Sequence, residues 1–411
     1  MKLYIPIKSL NAEINLPASK SISNRALILN ALSEKSPLVG DLGGLSDSDD
    51  TRVLQAALNS NDTHFDVGAA GTSMRFLTAF LAQKPGEWTI TGSERMKQRP
   101  IKILVDALNS LGAKIEYLEK EGFPPLRITG NTLLGGEINL NGSVSSQYVS
   151  ALMMIAPYMQ RGLKITLEGE IISKPYIEMT LNMMREFGSE ALFSENTIVI
   201  KPIHYKPIHF TVEPDWSAAS YWYEIMSIVD AYKIFFPGLK KNSLQGDRKV
   251  AELFEQLDVL THYCEKGVTI TPTDYEFKAS MREMRYNFVN EPDLVQTFAV
   301  ACCLKNISFE FSGLQSLKIK ETDRIAALIT ELRKFGYLLR EFPENTLIWK
   351  GERCRPQENP NVATYDDHRM AMAFAPIAIT QSIEIQHPEV VSKSYPRFWE
   401  DLFSVSSDSS F

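Results

Sequence analysis

The stretch SLKIKETDRIAALITELRKFG, residues 316–336, joins a run of charged residues to a segment with the pattern of a helix. The helical segment carries apolar residues on one face, at Ile325, Leu328, Ile329, Leu332 and Phe335. Gly336 follows the last of them and predicts the end of the helix, because glycine readily adopts the left-handed conformation that closes a helix. The stretch therefore predicts a helix with one buried face and a charged N-terminal turn.

The same helical pattern recurs along the chain. Clear copies are IKILVDALNSLGAKI (101–115) and IEMTLNMMREFGSEA (177–191), and weaker copies are TRVLQAALNSNDTHF (51–65), KVAELFEQLDVLTHY (249–263) and YPRFWEDLFSV (395–405). Short β-branched or alternating segments closed by Gly, Asn or Pro lie between them and predict strands. We predict an α/β chain of repeated helix and strand modules. The alternative is that no duplication is present, because a helix followed by a glycine and a strand is a common connection in proteins.

Length, charge and cysteine usage restrict the class of protein. A chain of 411 residues exceeds the size at which a single core usually stops growing, so two domains are expected. The formal net charge of −7 disfavours nucleic acid and membrane surfaces as partners, since both attract a basic face. No segment has about 18 consecutive uncharged apolar residues, and the N-terminus lacks the pattern of a secretory signal. Cysteines without CxxC spacing, at Cys264, Cys302, Cys303 and Cys354, indicate reduced thiols in a cytoplasmic protein.

The first candidate site is LPASKSISNRALILNAL, residues 16–32. Lys20, Ser21 and Arg25 cluster at the N-terminus of an apolar helix, where backbone N–H groups and the helix dipole favour an anion. The alternative is that Ser21 or Ser23 only caps the helix while the two cations are solvated.

A glycine-containing segment, VGAAGTSMRFLTAFLA (67–82), is the second candidate. Gly68 and Gly71 permit close backbone approach before a helix that carries Arg75, or they merely permit tight helix packing. Their spacing fits neither GxGxxG nor the P-loop pattern, so nucleotide binding by those routes is disfavoured.

The loop ERMKQRP (94–100) holds Arg95, Lys97 and Arg99, cations that would repel one another without a bound anion. A solvated charge run is the common alternative for such a loop.

Neutral donors precede two further predicted helices, with Ser145, Ser146 and Gln147 before one and Ser173 and Tyr176 before the other. Such residues usually cap helices, but sugar-like hydroxyls and phosphates are read by the same groups.

The charged turn of the opening stretch is also a candidate. If Thr322 caps the helix, Lys320, Glu321 and Arg324 all lie at the positive end of its dipole. A surface capping turn is the alternative.

Asp366, Asp367, His368 and Arg369 precede one more apolar helix. Metal ligation is disfavoured there, since no second histidine cluster accompanies the motif.

In this order the motifs resemble the 5-enolpyruvylshikimate-3-phosphate synthase family of enolpyruvyl transferases. The resemblance covers almost the whole chain and rests on these segments: LPASKSISNRAL, AGTSMRFL, RMKQRPI, GSVSSQYVSALMMIAP, SKPYIEMTL, EPDWSAASY, KETDRIAALITELRKFG, DDHRMAMAF and SKSYPRFWEDL. It implies an α/β (α+β type) fold of two similar domains, each of three βαβαββ units in an inverted α/β barrel-like arrangement, with the active site in the interdomain cleft. Residues 1–18 and 213–411 would form the domain on the phosphoenolpyruvate side, with the catalytic carboxylates. Residues 19–212 would form the domain on the shikimate 3-phosphate side.

The resemblance also implies a 3-phosphoshikimate 1-carboxyvinyltransferase of the shikimate pathway. The 5-hydroxyl of shikimate 3-phosphate attacks C2 of phosphoenolpyruvate while C3 is protonated, and the adduct then expels inorganic phosphate. The phosphates and carboxylates of the two substrates account for the cations at several helix starts. Neither a cofactor nor a metal is implied, and a monomer is expected.

By motif match, the resemblance assigns residues to each substrate. Shikimate 3-phosphate would be bound by Lys20, Ser21, Arg25, Ser145, Ser146, Gln147, Ser173, Asp293 and Lys320. Phosphoenolpyruvate would be bound by Lys20, Gly71, Arg99, Gln147, Arg324, Arg369 and Lys393. Catalysis would fall to Asp293, as the base toward the 5-hydroxyl, and to Glu321, with Lys20, for proton transfer at C3.

Two alternatives stay open. One is an enolpyruvyl transferase with another acceptor, but UDP-N-acetylglucosamine enolpyruvyl transferases typically carry a cysteine in the loop that matches ERMKQRP, and this loop has none. The other is a catalytically silent protein that binds phosphorylated metabolites. The presence of both Asp293 and Glu321 disfavours it.

Overall fold

The computed structural model describes residues 1–7, 10–33, 41–229, 233–273, 282–343 and 345–406. Its contacts divide the chain into two compact units. The central unit comprises Ala18–Val212, and the composite unit comprises Met1–Pro17 together with Glu213–Phe411. The sequence analysis places the first boundary after residue 18, whereas these contacts place it after Pro17.

Helices and short strands alternate in both units and are numbered along the chain. The helices within the described residues are α1 (Lys20–Leu32), α2 (Asp49–Asn59), α3 (Gly71–Gln83), α4 (Lys102–Ser110), α5 (Ser146–Ile155), α6 (Lys174–Glu186), α7 (Trp216–Ile228), α8 (Val250–Glu255), α9 (Val295–Leu304), α10 (Arg324–Lys334), α11 (His368–Phe374) and α12 (Phe398–Ser404). The strands are β1 (Lys2–Leu3), β2 (Asn11–Glu13), β3 (Leu42–Gly43), β4 (His64–Asp66), β5 (Gly86–Thr91), β6 (Lys114–Tyr117), β7 (Leu126–Gly130), β8 (Gly136–Asn141), β9 (Leu163–Glu168), β10 (Ala191–Ser194), β11 (Thr197–Ile200), β12 (Phe210–Thr211), β13 (Lys233–Pro237), β14 (Val259–Cys264), β15 (Gly267–Pro272), β16 (Glu283–Asn287), β17 (Ser308–Ser312), β18 (Arg340–Phe342), β19 (Thr346–Trp349), β20 (Asn361–Val362) and β21 (Ile383–Ile385).

One βαβαββ module recurs with the same topology in four sheets. The sheet orders are β4-β5-β7-β6, β8-β9-β11-β10, β2-β13-β15-β14 and β16-β17-β19-β18. In each sheet the first two strands are parallel and the last two form an antiparallel pair. One α-helix joins the parallel strands in three of the sheets, whereas the whole central unit and α7 lie between β2 and β13. Smaller sheets, β3-β12 and β1-β21-β20, carry the remaining strands. The predicted α/β fold of repeated βαβαββ modules is therefore confirmed.

Helices buried nearly all round alternate along the chain with amphipathic helices. In the central unit α1, α3 and α5 contact one another, and the segment Val149–Ile155 of α5 is at most 1% exposed. In the composite unit α7, α9 and α11 likewise contact one another. Each fully buried leucine or isoleucine contributes about 1.5–3 kcal/mol. The six helices with the recurrent sequence pattern are the amphipathic ones: α2, α4, α6, α8, α10 and α12.

The buried helices bring their N-terminal ends close together within each unit. In the central unit Gln147, in the first turn of α5, donates from Nε2 to Thr72 Oγ1 in the first turn of α3 at 3.1 Å. In the composite unit Arg369, in the first turn of α11, donates from Nη2 to Asp293 Oδ2 just before α9 at 2.8 Å. The motif residues are therefore gathered at one end of each set of buried helices.

Among the helices of the described ranges, none is long and apolar enough to cross a membrane.

Candidate active site

Arg25 is the most deeply buried cation of the central unit's motifs, with 2% of its surface exposed. Its Nε donates to Thr180 Oγ1 at 2.6 Å, its Nη1 to the Ser21 carbonyl at 2.9 Å and its Nη2 to Ser150 Oγ at 3.2 Å. All three acceptors are neutral, and burial lowers the pKa of the guanidinium below its usual value. A buried cation with neutral partners is stabilised by a bound anion. This geometry favours the anion site over the solvated alternative.

The start of α1 differs from a capped helix. Ser19 is the N-cap residue and makes no side-chain capping bond, and Lys20 is the first helical residue. Ser23 Oγ instead accepts from the backbone N–H of Ser46 at 2.9 Å. The capping role considered for Ser21 or Ser23 is therefore wrong.

Lys20 has a carboxylate partner that the sequence analysis missed. Its Nζ lies 3.2 Å from Asp50 Oδ2, and the Asp50 side chain is 5% exposed. Asp50 lies in the first turn of α2, where acidic residues also complement the helix dipole. The acidic run at residues 47–50 was the available signal, but nothing in the sequence links it to Lys20.

Gly71 lies where two guanidinium groups approach the backbone. A Cβ atom built on Gly71 would be 2.6 Å from Arg99 Nη1 and 2.9 Å from Arg75 Nη1. Arg75 Nη1 donates to the Gly71 carbonyl at 2.8 Å, and both arginines are buried. A larger residue at this position would displace at least one of these guanidinium groups, so the motif allows cations to approach the backbone closely.

The ERMKQRP loop contains a cation that pairs with carboxylates. Lys97 Nζ lies 3.5 Å from Glu94 and 3.2 Å from Glu119, and the hydrogen bond to Glu119 is the main cause of a raised pKa for this lysine. The argument that these cations would repel one another without an anion is therefore wrong for Lys97. Arg99 is separate from that pair, since it packs against Gly71.

The starts of α5 and α6 contain one capping serine. Ser145 is the N-cap of α5, and its side chain accepts from the Gln147 backbone N–H at 3.3 Å. Ser146 is in the helix and 9% exposed. Ser173 is the N-cap of α6 in a left-handed conformation, with φ of 54°, and makes no side-chain capping bond. The capping interpretation holds for Ser145.

In the composite unit Arg324 lies at the centre of a network of carboxylates. It donates from Nε and Nη2 to Asp367, at 2.7 and 3.2 Å, from Nη1 to Asp293 at 3.0 Å, and from Nη2 to Glu321 at 3.2 Å. Both Arg324, at 2%, and Asp367, at 0%, are nearly inaccessible to solvent. Burial opposes the positive charge, but Asp367, Glu321 and Asp293 together raise the pKa of Arg324 above its usual range.

Asp293 and Glu321 each face more than one cation of this network. Asp293 accepts from Arg369 Nη2 at 2.8 Å and lies 3.7 Å from Lys320 Nζ. Glu321 accepts from Lys393 Nζ at 2.7 Å. Arg324, Arg369, Lys320 and Lys393, which the sequence analysis assigned to substrates, therefore lie together around these carboxylates. Removal from water lowers the pKa of Lys320, while the charge of Asp293 opposes that shift.

Asp323, and not Thr322, caps α10. Its carboxylate accepts from the backbone N–H groups of Ile325 and Ala326, both at 3.1 Å. The prediction of Thr322 as the cap is wrong by one residue. Lys320 and Glu321 consequently lie in the extended turn before the cap, and Arg324 is the first helical residue.

The aspartates of the DDHR motif have different positions. Asp367 is the N-cap of α11, where it accepts from the Arg369 backbone N–H at 2.9 Å, and it is the bidentate partner of Arg324. Asp366 is exposed. Asp367 thus orients cations, a role that the sequence analysis did not assign to it.

Comparisons with known proteins agree with these features. A family model described as EPSP synthase (3-phosphoshikimate 1-carboxyvinyltransferase) matches residues 5–60 and 51–402. A protein from Bacteroides fragilis named 3-phosphoshikimate 1-carboxyvinyltransferase is 53% identical over 395 residues, which are 96% of this chain and 95% of that protein. A protein of the same name from Vibrio vulnificus is 36% identical over 437 residues, 98% of each chain.

A solved structure of EPSP synthase from Acinetobacter baumannii has the same fold, with a TM-score of 0.78 over 98% of each chain at 19% identity. The repeated modules, the buried cations and the matched regions define an enolpyruvyl transferase. The chain belongs to the EPSP synthase family, over nearly its whole length.

Proposed function

We propose that this protein transfers the enolpyruvyl group of phosphoenolpyruvate to the 5-hydroxyl of shikimate 3-phosphate and releases inorganic phosphate. The observation that carries the proposal is the network in which Asp293 and Glu321 each contact two or more of the cations matched to substrate binding. Proton transfer needs acid–base groups, a role that carboxylates can fill, and anionic substrates need fixed cations. The network supplies both in one cluster.

In the central unit we assign the phosphate of shikimate 3-phosphate to the surroundings of Arg25, with Lys20, Ser21, Ser145, Ser146, Gln147 and Ser173. The buried Arg25 guanidinium with neutral acceptors supports this role. Gly71, Arg99, Lys20 and Gln147 are assigned to phosphoenolpyruvate. The close approach of two guanidinium groups at Gly71 supports an anion at that position.

In the composite unit Arg324, Arg369 and Lys393 are assigned to phosphoenolpyruvate, and Lys320 and Asp293 to shikimate 3-phosphate. Asp293 accepts the proton of the 5-hydroxyl group while the oxygen of that hydroxyl group bonds to C2 of phosphoenolpyruvate. Glu321, with Lys20, moves the proton at C3, first onto the methylene carbon and then off the methyl group as phosphate leaves. Preorganised cations stabilise the negative charge that these steps redistribute.

A cytoplasmic monomer is part of the proposal. The thiols of Cys264, Cys302, Cys303 and Cys354 are free, which fits a reducing compartment. Gel filtration with light scattering tests the monomer directly.

Phosphorus NMR tests the reaction. The protein is mixed with shikimate 3-phosphate and phosphoenolpyruvate, together and separately. The variants Asp293→Asn and Arg285→Ala are treated in the same way. Arg285→Ala is the control, because Arg285 pairs with Glu283 at the surface. A new enolpyruvyl phosphate ester with inorganic phosphate, which requires both substrates and Asp293, is the expected result. Turnover only with UDP-N-acetylglucosamine would identify another acceptor, and binding of both substrates without turnover would identify a silent binder.

A further inference from the structure

Asp247 is a buried carboxylate outside the residues assigned above. It lies in a short 3-10 turn, Gly246–Lys249, immediately before α8 and is 3% exposed. Ser217, in the first turn of α7, donates a hydrogen bond from Oγ to Asp247 Oδ2. Within the described ranges, the buried Oδ1 atom has no hydrogen-bond partner. An ionised carboxylate is costly in such a position, whereas a protonated one is tolerated.

The groups around Asp247 connect it to the candidate site. The charges of Asp293, before α9, and Arg369, on α11, both act on its carboxyl group, and so does the charge of Asp215, which caps α7. Arg369 donates to Asp293 through Nη2 at 2.8 Å and to the Asp293 backbone carbonyl through Nη1 at 3.1 Å. The turn that carries Asp247 and the turn Pro292–Leu294, which carries Asp293, both pack against α7. Asp247 is therefore a second carboxylate on the side of α7 where the proposed base lies.

Tyr221 belongs to the same surroundings, one turn beyond Ser217 on α7. It is 1% exposed, and its hydroxyl has no hydrogen-bond partner in the part of the chain that the structure describes. The charges of Arg369, Arg324, Asp367 and Asp293 all act on it, although burial is the main cause of its raised pKa. Tyr221 is thus a neutral polar group on this side of the network at working pH.

The protonation of Asp247 changes near neutrality. Burial and the charge of Asp293 raise the pKa of Asp247 to about 7, against the opposing effects of Arg369 and of the Ser217 hydrogen bond. Below that pH the Asp247 carboxyl group is neutral, so Arg369 interacts with Asp293 and with a substrate anion without competition from Asp247. Above it, a new negative charge attracts Arg369 and repels substrate anions.

We propose that Asp247 is a further positioning residue of the reaction, one that competes in its ionised form with the anionic groups of phosphoenolpyruvate for Arg369. The inference rests on the proposed function for the identity of the anion. It does not assign Asp247 a contact with substrate, and no proton passes from Asp247 to a reacting atom.

The test is the pH dependence of KM for phosphoenolpyruvate between pH 6 and 8, in the unchanged protein and in Asp247→Asn. Asn has the same shape and cannot ionise. We expect KM of the unchanged protein, divided by KM of Asp247→Asn, to increase about fivefold or more between pH 6 and pH 8, with kcat changed much less. A factor of this size is ordinary for the coupling between two sites. Asp258→Asn is the control, since Asp258 is also largely buried and pairs with Lys305 at 3.2 Å. Parallel KM profiles for the unchanged protein and Asp247→Asn would overturn the proposal.

A second measurement does not depend on turnover. Infrared difference spectra at pH 6 and pH 8 should show a protonated carboxyl group that is lost at the higher pH, and this signal should be missing in Asp247→Asn. If Asp247→Asn does not fold, Ser217→Ala provides the same comparison, because loss of the Ser217 bond should move the transition to higher pH. A transition unchanged in Ser217→Ala would contradict the assignment. Failure of the proposed function would instead appear as absent turnover in the unchanged protein, while the infrared result would stand.

Discussion

Lys393 donates a hydrogen bond of 2.7 Å to Glu321 Oε1, although 72 residues separate the two in the chain. The other carboxylate oxygen, Oε2, accepts from Arg324 Nη2 at 3.2 Å. Both oxygens of the carboxylate are thereby fixed in orientation. A group that transfers a proton at one carbon of a substrate needs such fixed geometry.

Glu321→Gln keeps the shape of this side chain and removes its basicity. We expect kcat to fall by about 10²–10⁴, as for loss of a general acid or base, with little change in the affinity for shikimate 3-phosphate. Steady-state kinetics and calorimetric titration measure the two quantities. Glu341→Gln is the control, since Glu341, on β18, pairs with Lys318 at the surface. Equal losses in both variants would contradict the role of Glu321.

Arg324→Ala should unfold more easily than the unchanged protein. It leaves Asp367 buried at 0% exposure without its bidentate partner, and breaking a buried ion pair costs about 3–5 kcal/mol. Urea unfolding monitored by tryptophan fluorescence gives the free energy. The double variant with Asp367→Asn should recover part of that loss, because it removes the isolated charge. A double variant no more stable than the single one would show that the carboxylate charge is not the cause.

Gly71→Ala should weaken the binding of phosphoenolpyruvate more than the binding of shikimate 3-phosphate. The added Cβ meets Arg99 Nη1 at 2.6 Å and Arg75 Nη1 at 2.9 Å, so at least one guanidinium must move. We expect KM for phosphoenolpyruvate to rise about tenfold, the equivalent of one charge-assisted hydrogen bond. Gly43→Ala is the matched control, because its Cβ would have only ordinary contacts, the nearest at 3.4 Å from Thr211. An unchanged KM would mean that Arg99 does not hold this substrate.

Arg25→Gln should abolish the stabilisation of the protein by shikimate 3-phosphate. A ligand at about 100 times its Kd stabilises a folded protein by about 2.7 kcal/mol, and the shift in Tm reports it. Arg127→Gln, an exposed arginine on β7, should keep the full shift. A normal shift in Arg25→Gln would place the phosphate elsewhere.

Glu224 should make stability depend on pH. It is 0% exposed, neither carboxylate oxygen has a hydrogen-bond partner within the described segments, and burial raises its pKa well above the usual value. The folded protein therefore binds a proton that the unfolded chain releases above its own pKa of about 4.3, so this contribution to stability is lost as the pH rises from there. Glu224→Met should be more stable than the unchanged protein at pH 8 and should show a smaller decrease between pH 5 and 8. Parallel curves from chemical denaturation would refute this.

The helices and the modules could be predicted because their signals are local. Gly336 ends the pattern that begins at Arg324, and α10 ends at Lys334 with Phe335 as its C-cap residue. The cap of that helix was predicted one residue early, because Thr322 and Asp323 are both good caps and only the backbone before them decides between them.

The partners of the cations could not be predicted, because they lie far away in the chain. Arg25 bonds to Thr180, which is 155 residues away, and Arg324 bonds to Asp367, which is 43 residues away. Asp247 carries no motif that links it to Arg369. Local patterns identify charged helix starts, but only tertiary structure shows which charges face one another.

The composite unit contains strands from opposite ends of the chain, and this has a consequence for biosynthesis. Strand β2 pairs with β13, and the register of β1 with β21 joins Lys2 to Glu384. The central unit is contiguous, so all of its strands have left the ribosome while most of the composite unit is still untranslated. At about 5–20 residues per second, Lys2 waits some tens of seconds for its partner strand. During that interval the early strands have only non-native edges to pair with, and we expect nascent-chain chaperones to matter most for this segment.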